Sequence, residues 1–348
     1  MVRLRDIALQ AGVSVMTVSK ALRDASDVAP GTKAKIKQLA SAMGYVPDTS
    51  AAGLRTRTTR LLGLAVSSLT NPIFSRVVLA IEQRASAMGY DLLLAHTLNK
   101  PEVEEVCLKR FLARRVDGIF VSPVYRMGGD APIYREILSR KIPTVVLGHT
   151  APFCNFFINM ESDDLLGSYA VTRHLLGLGH KRIAFLGGPP ATPWTQERFE
   201  GYRRALRESG LDVDDRLVFQ AGRTIEDGAH AALQLIQEAP DVTAVQAVND
   251  LIAVGCANAL IQQGLNIPAD ISVAGFGNTL VSEFFQVPLT TVRQPKFRLG
   301  VAAAEAMQQM LLGHKPESRR LSADLAIRSS TGTAPANAPL IRLNSPET

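Results

Sequence analysis

Along residues 1–46 apolar side chains recur at three- and four-residue spacing in three short runs, the pattern of amphipathic helices. The first run predicts a helix over Leu4–Ala11, with Ile7 and Ala8 inward, ending at Gly12, where the chain needs a conformation most residues resist. Ser14 is placed to cap a second helix, VMTVSKALRD, which turns Val18, Ala21 and Leu22 inward and leaves Val15, Met16, Thr17, Ser19 and Lys20 as an outward face. The third, Pro30–Met43, begins on a proline whose missing N–H is harmless there and carries Ile36, Leu39, Ala40 and Met43 inward. These three helices make an all-α, helix-turn-helix head.

From Leu61 the pattern changes to apolar strand runs alternating with amphipathic helical runs, as in βαβ units with parallel sheets. LLGLAV (61–66), DLLLAH (91–96), GIFVSP (118–123) and TVVLG (144–148) form one set of strands. RIAFLGG (182–188), LVFQAG (217–222), AVQAV (244–248) and ISVAGF (271–276) form another. Two sheets of four or more strands imply two lobes, with a ligand cleft at the carboxyl ends of the strands.

Charge adds a function class to this plan. Residues 1–60 hold 10 Lys+Arg against 4 Asp, while the other 288 hold 28 basic against 28 acidic residues, so the whole net charge of +6 sits on the head. A basic head on a neutral body fits a polyanion-binding module, or else a solvated basic face. With 46% hydrophobic and 20% charged residues the chain is ordinary globular material, and no apolar run reaches the roughly 18 residues of a membrane span. MVRLRDIALQAG lacks the apolar core of a signal peptide, and Cys107, Cys154 and Cys256 are odd in number and far apart, so a reducing cytoplasm is expected.

In a helix-turn-helix the second helix enters the major groove, where Lys20 can donate to guanine O6 and N7 and Val15 and Met16 can read only shape and thymine methyls. LRDIALQAGVSVMTVSKAL (4–22) and GYVPDTSAAGLRT (44–56) resemble the head and hinge of the lactose-repressor (LacI/GalR) family of bacterial transcriptional regulators, and the similarity runs along nearly the whole chain. The resemblance implies base reading by Val15, Met16 and Lys20. It assigns phosphate contact or its support to Ser14, Thr17, Ser19, Thr32 and Tyr45, and makes Leu54 a minor-groove wedge, with Ala51 among the DNA contacts. It also implies an α/β core like that of periplasmic sugar-binding proteins, with three crossovers near Asn159–Asp163, Pro288–Val292 and Leu321–Asp324. The domains read as a head at 1–46, hinge at 47–60, core at 61–332 and flexible tail at 333–348; the N-lobe takes about 61–160 and 292–322, the C-lobe about 161–291 and 323–332.

Arg198, read as lying in the first turn of a helix, asks for an anionic or hydrogen-bonding partner: a ligand, or Glu197 or Glu200. The resemblance favours the ligand, because RFEGY (198–202) matches a motif whose arginine binds effector; Asn249 and Asp163 match effector-contacting sites, and Asn71, Phe74, His149 and Trp194 fall in the pocket. Gly277 and Gly148 stand where relatives carry acids, and Arg223 where some carry an aromatic. Either these changes make the pocket positive and suited to an anionic sugar derivative, or Arg223 turns outward and the glycines only shape loops.

Enzyme motifs are mostly missing. GFGNTL (275–280) has Leu280 where a third dinucleotide-loop glycine belongs, and the six histidines form no metal pair. Asp163 and Asp250 precede helices and read as caps and ligand contacts rather than catalytic acids. The expectation is a non-enzymatic, cofactor-free and metal-free repressor: cytoplasmic, nucleoid-associated, a homodimer on pseudo-palindromic double-stranded operator DNA, controlled by a carbohydrate-derived effector. The tail, with three prolines and no leucine heptad, offers no tetramerisation helix. The alternatives are a cytoplasmic solute-binding receptor, or a sugar or nucleotide enzyme with a basic N-terminus.

Overall fold

Ile7, Ala8 and Ala11 of α1 (Leu4–Ala11), Val18 and Ala21 of α2 (Val15–Leu22), and Ile36 and Ala40 of α3 (Pro30–Ala42) meet in one small buried core, with Leu22, Leu39, Met43 and Tyr45 packed around it. The computed structural model describes residues 2–46, 58–128 and 130–336, and its contacts divide the chain into units of residues 1–59 and 60–348. The predicted hinge positions Ala51, Gly53 and Leu54, and the tail beyond residue 336, lie outside the described residues. α2 stops two residues sooner than its apolar pattern predicts: Asp24 takes φ +58° and the Ala25 N–H closes back on the Lys20 carbonyl, a left-handed helix end.

The larger unit is built on two six-stranded sheets. The first contains β1 (Leu61–Val66), β2 (Asp91–His96), β3 (Gly118–Val121), β4 (Thr144–Leu147), β5 (Ile158–Ser162) and β11 (Arg319–Leu321), in the order β11-β5-β4-β3-β1-β2, all neighbours parallel. Parallel strands need cover on both faces, so successive residues go to opposite cores. Ile119 and Val121 pack with α5 (Pro101–Ala113) and α6 (Pro132–Ser139), whereas Phe120 packs with α4 (Pro72–Ala87) and α12 (Lys296–Leu311).

The second sheet contains β6 (Ile183–Gly187), β7 (Val218–Gln220), β8 (Ala244–Ala247), β9 (Ser272–Phe276), β10 (Thr290–Arg293) and β12 (Asp324–Ala326), in the order β12-β10-β9-β8-β6-β7. Its core is closed by α7 (Asp164–Gly177), α8 (Pro193–Glu208), α9 (Ile225–Glu238) and α10 (Asp250–Gln262), with the short α11 (Leu280–Phe284) beside it. β12 runs antiparallel to β10, a departure from the all-parallel expectation. The chain passes between the sheets three times: at Asp163, at Gln294–Pro295 and at Ser322–Ala323. The crossings expected near 159–163 and 288–292 overlap strands β5 and β10, and the chain crosses at the carboxyl end of each strand. Among the described residues no helix is long and apolar enough to cross a membrane.

Candidate functional site

On the head, Ser14 Oγ accepts from the Thr17 N–H at 3.1 Å and shares a 2.9 Å hydrogen bond with Thr17 Oγ1, so the predicted cap starts α2. Directly after it Val15 and Met16 are 44% and 68% exposed, apolar side chains held out by a helix whose other face is buried. Lys20 is ion-paired with Asp27, and the Ser19 carbonyl accepts from Arg23 Nε at 2.8 Å. Thr32 lies in the first turn of α3, where backbone N–H groups lack helical partners, and Tyr45 is half-buried against the head core.

In the larger unit a cavity of about 330 Å³ opens where the carboxyl ends of both sheets meet. Ser122, Gly148 and His149 reach it from beyond β3 and β4, and Arg223 and Asn249 from beyond β7 and β8. Asn71, Phe74, Trp194 and Arg198 complete the predicted residues on its wall. Asn71 and Asn249 are helix caps as well, their side-chain oxygens accepting from Ile73 N at 3.1 Å and Ile252 N at 2.8 Å.

The two arginines differ in what they have left to bind. Arg198 sits in the second turn of α8, not the first, and its partner is neither neighbouring glutamate. Its Nε and Nη2 donate to Asp164 Oδ2 at 3.0 and 2.7 Å, Nη1 donates to the Val248 carbonyl at 2.6 Å, and the guanidinium carbon lies 3.7 Å from the Phe276 ring centre. Its charge is therefore taken inside the protein. Arg223 has no ion pair among the described residues, its buried Nε has no hydrogen-bond partner, and burial alone pulls its pKa below the ordinary arginine value.

Two predicted positions fall outside the cavity wall. Asp163 accepts from the Leu166 N–H at 3.0 Å and caps α7; the next residue, Asp164, one step into the helix, is the acid that faces the cavity. Gly277, at φ +136°, turns its carbonyl to Lys296 Nζ at 2.5 Å, and a side chain there would meet Asp250 Oδ2 at 3.3 Å rather than a ligand. Asp250 is not the cap of α10, which is Asn249; it is buried and accepts from Thr279 N at 2.7 Å and Thr291 Oγ1 at 2.5 Å. Sequence reasoning missed Gln294, which is 8% exposed and lines the cavity: Nε2 donates to Ser162 Oγ at 2.9 Å, while Oε1 has no partner among the described residues. Nothing in the apolar pattern marks it, since it lies on a crossing between lobes.

The profile described as bacterial regulatory proteins, lacI family, matches residues 3–48, and that of a periplasmic binding protein-like domain matches residues 172–331. The HTH-type transcriptional regulator DegA of Bacillus subtilis (strain 168) is 30% identical over 329 residues, 94% of this chain and 97% of that protein. The HTH-type transcriptional repressor PurR of Vibrio atlanticus (strain LGP32) is 33% identical over 324 residues, 92% of this chain and 95% of that one. The chain belongs to the LacI family. Among solved structures, the lac repressor dimer bound to operator and the anti-inducer ONPF superposes with a TM-score of 0.85 at 27% identity, covering 95% of this chain and 99% of that one. A complex of the transcriptional regulator CelR with cellobiose gives 0.72 at 28% identity, covering 95% and 100%. This LacI-family chain is a DNA-binding regulator of transcription controlled by a small-molecule effector, and not an enzyme.

Proposed function

We propose that this LacI-family chain is a cytoplasmic, nucleoid-associated repressor that binds a pseudo-palindromic operator as a homodimer and responds to an anionic, carbohydrate-derived effector in the cavity. In this reading α2 enters the major groove with Val15 and Met16 against thymine methyls and Lys20 on a guanine, while Ser14, Thr17, Ser19, Thr32 and Tyr45 hold or support phosphate contacts. Lys20 leaves Asp27 to do so, at little loss because both partners of that pair are exposed. Ala51 and Leu54 are assigned to the minor groove, where a leucine wedge opens a base step. One head reads one half-site, so a two-fold dimer matches the two halves of the operator.

The observation that carries the effector assignment is Arg223, a cation on the cavity wall whose guanidinium has no ion pair and whose buried Nε has no hydrogen-bond partner among the described residues, the nearby Asp227 carboxylate being taken by the Arg223 backbone N–H. A carboxylate or phosphate takes charge-assisted hydrogen bonds there, hydroxyls meet Asn71, His149, Asn249 and the free Gln294 Oε1, and the faces of Phe74 and Trp194 cover C–H surface. Gln294 Oε1 accepts, so it requires a donor on the ligand. The effector shifts operator affinity by the difference in its affinity for the two lobe arrangements.

Calorimetry with a neutral sugar and its uronic acid tests the assignment without knowledge of the operator. The acid is expected to bind more tightly, and Arg223→Ala to weaken it about tenfold or more, since such bonds contribute about 1.5–3 kcal/mol each. Tight binding of the neutral sugar, untouched by Arg223→Ala, would overturn the anionic reading.

A further inference from the structure

Glu197 lies on α8, in the second lobe, and both of its ion-pair partners among the described residues come from the first. Arg320 of β11 donates through Nη2 to Glu197 Oε1 at 2.5 Å and through Nε to Glu161 Oε1 of β5 at 2.7 Å, so one guanidinium joins a carboxylate from each lobe. His149, in the loop after β4, sets Nε2 at 3.0 Å from Glu197 Oε2 and 3.9 Å from Glu161 Oε2. The shorter contact is close enough for an ion pair but off the axis of a hydrogen bond.

The remaining groups around His149 complete its charge balance. Asp164, at the start of α7, adds its field but is held by Arg198; Asp163 Oδ1 lies 3.8 Å from Arg320 Nη1; the Tyr125 hydroxyl donates to the His149 carbonyl at 2.6 Å. Glu161 Oε2 also accepts from Asn159 Nδ2 at 2.9 Å. Three carboxylates, Glu161, Asp163 and Glu197, thus face one arginine, and a proton on His149 reduces the excess negative charge. Burial works to lower the His149 pKa, but Glu197, Asp164 and Glu161 outweigh it and hold it above the ordinary imidazole value. Burial likewise acts to raise Glu197, and His149 and Arg320 more than reverse it.

We propose that His149, Glu161, Glu197 and Arg320 form a proton-operated latch between the lobes, His149 gaining its proton as Glu197 arrives and losing it as the lobes part. Because the closed state carries the raised pKa, closure takes up a proton. The closed arrangement is favoured below the open-state pKa of His149 and loses that advantage as pH rises through the closed-state value. If the cavity is the effector site, as the proposed function has it, an effector preferring the closed lobes binds more tightly as pH falls, without touching Glu197 or Arg320.

The chain has one tryptophan, Trp194, which lines the cavity three residues before Glu197, and six histidines. The test is a pH titration of the full-length protein, without DNA or effector, following Trp194 emission and the imidazole resonances, with His149→Gln identifying the His149 signal. We expect His149 to titrate above the ordinary imidazole value, and above His174 and His180, which burial lowers, and the Trp194 emission to move with the His149 midpoint. Glu197→Gln lowers that midpoint by removing a carboxylate, and Arg320→Gln raises it by removing the competing cation. If circular dichroism shows that Glu197→Gln has not folded, the upward shift in Arg320→Gln decides. A His149 midpoint at or below the ordinary imidazole value, a midpoint indifferent to these substitutions, or a flat Trp194 signal through the His149 titration would overturn the latch. No reading here uses operator or effector, so failure of the latch leaves the repressor proposal standing, and failure to bind DNA leaves the latch standing.

Discussion

Arg198 and Arg223 reach the same cavity, but Asp164 and the Val248 carbonyl occupy the first while the guanidinium of the second has no ion pair among the described residues, so the same substitution has opposite expected effects on stability. Arg198→Met leaves Asp164 buried and uncompensated and is expected to lower the unfolding free energy by about 3–5 kcal/mol. Arg223→Met removes an unpaired cation and is expected to raise the denaturation midpoint of the effector-free protein; urea unfolding of the two variants checks both signs. The motif around Arg198 points to the cavity in the sequence, yet its partner is not legible there, because Asp163 and Asp164 differ only in which way one step of backbone turns each carboxylate. On the head, Lys20→Ala is expected to relax preference at one guanine position and lose about 1–3 kcal/mol there, whereas Thr32→Ala weakens all sequences alike. Selection from randomised operators separates the two outcomes, and equal losses on every sequence for Lys20→Ala would assign it to the phosphate backbone.

Between elements, glycines allow close backbone approach. A Cβ on Gly255 of α10 would fall on the Ile225 carbonyl of α9, and one on Gly228 of α9 would fall on the Ile252 carbonyl of α10, so these two helices touch backbone to backbone. Gly255→Ala is expected to destabilise by about 1–3 kcal/mol through forced separation of the pair. Gly177→Ala, at the end of α7 with open space around it, is expected to be neutral or stabilising by up to about 1 kcal/mol. Thermal unfolding of the two alanine variants makes the comparison. Both glycines look alike in sequence, since each interrupts a helical run. LLGLAV is legible as a strand because a parallel strand covered on both faces is apolar nearly throughout, whereas DLLLAH, at the sheet edge and only partly buried, is legible from its apolar run alone. INMES and RRL are not, because they are short and partly polar, and RRL pairs only with a strand far along the chain: β11 lies beside β5, 159 residues away in register.

For the whole molecule, the division of charge between a +6 head and a neutral remainder sets the expected salt response. If Z phosphates are neutralised, the logarithm of operator affinity falls against the logarithm of salt with slope about −0.9Z. Deleting residues 1–57 is expected to abolish operator binding while leaving a folded effector-binding core, because the contacts divide the chain at residue 59. Operator binding by the truncated protein would refute the assignment of DNA affinity to the head. What the amino-acid sequence determined by itself is local: three helices, their inward faces, the Ser14 cap, the buried strands and the confinement of charge to one end, since each depends on side-chain period, capping chemistry or composition within a few residues. Only the tertiary structure decided what meets across the chain. Asp164 finds Arg198 over 34 residues, Arg320 joins Glu161 to Glu197, and Gln294 enters the cavity at a crossing, because burying two sheets against each other's ends brings together groups with no common pattern. In that low-dielectric setting what an arginine can still bind depends on its partners, which is why the guanidinium is satisfied at Arg198 and has no ion pair among the described residues at Arg223.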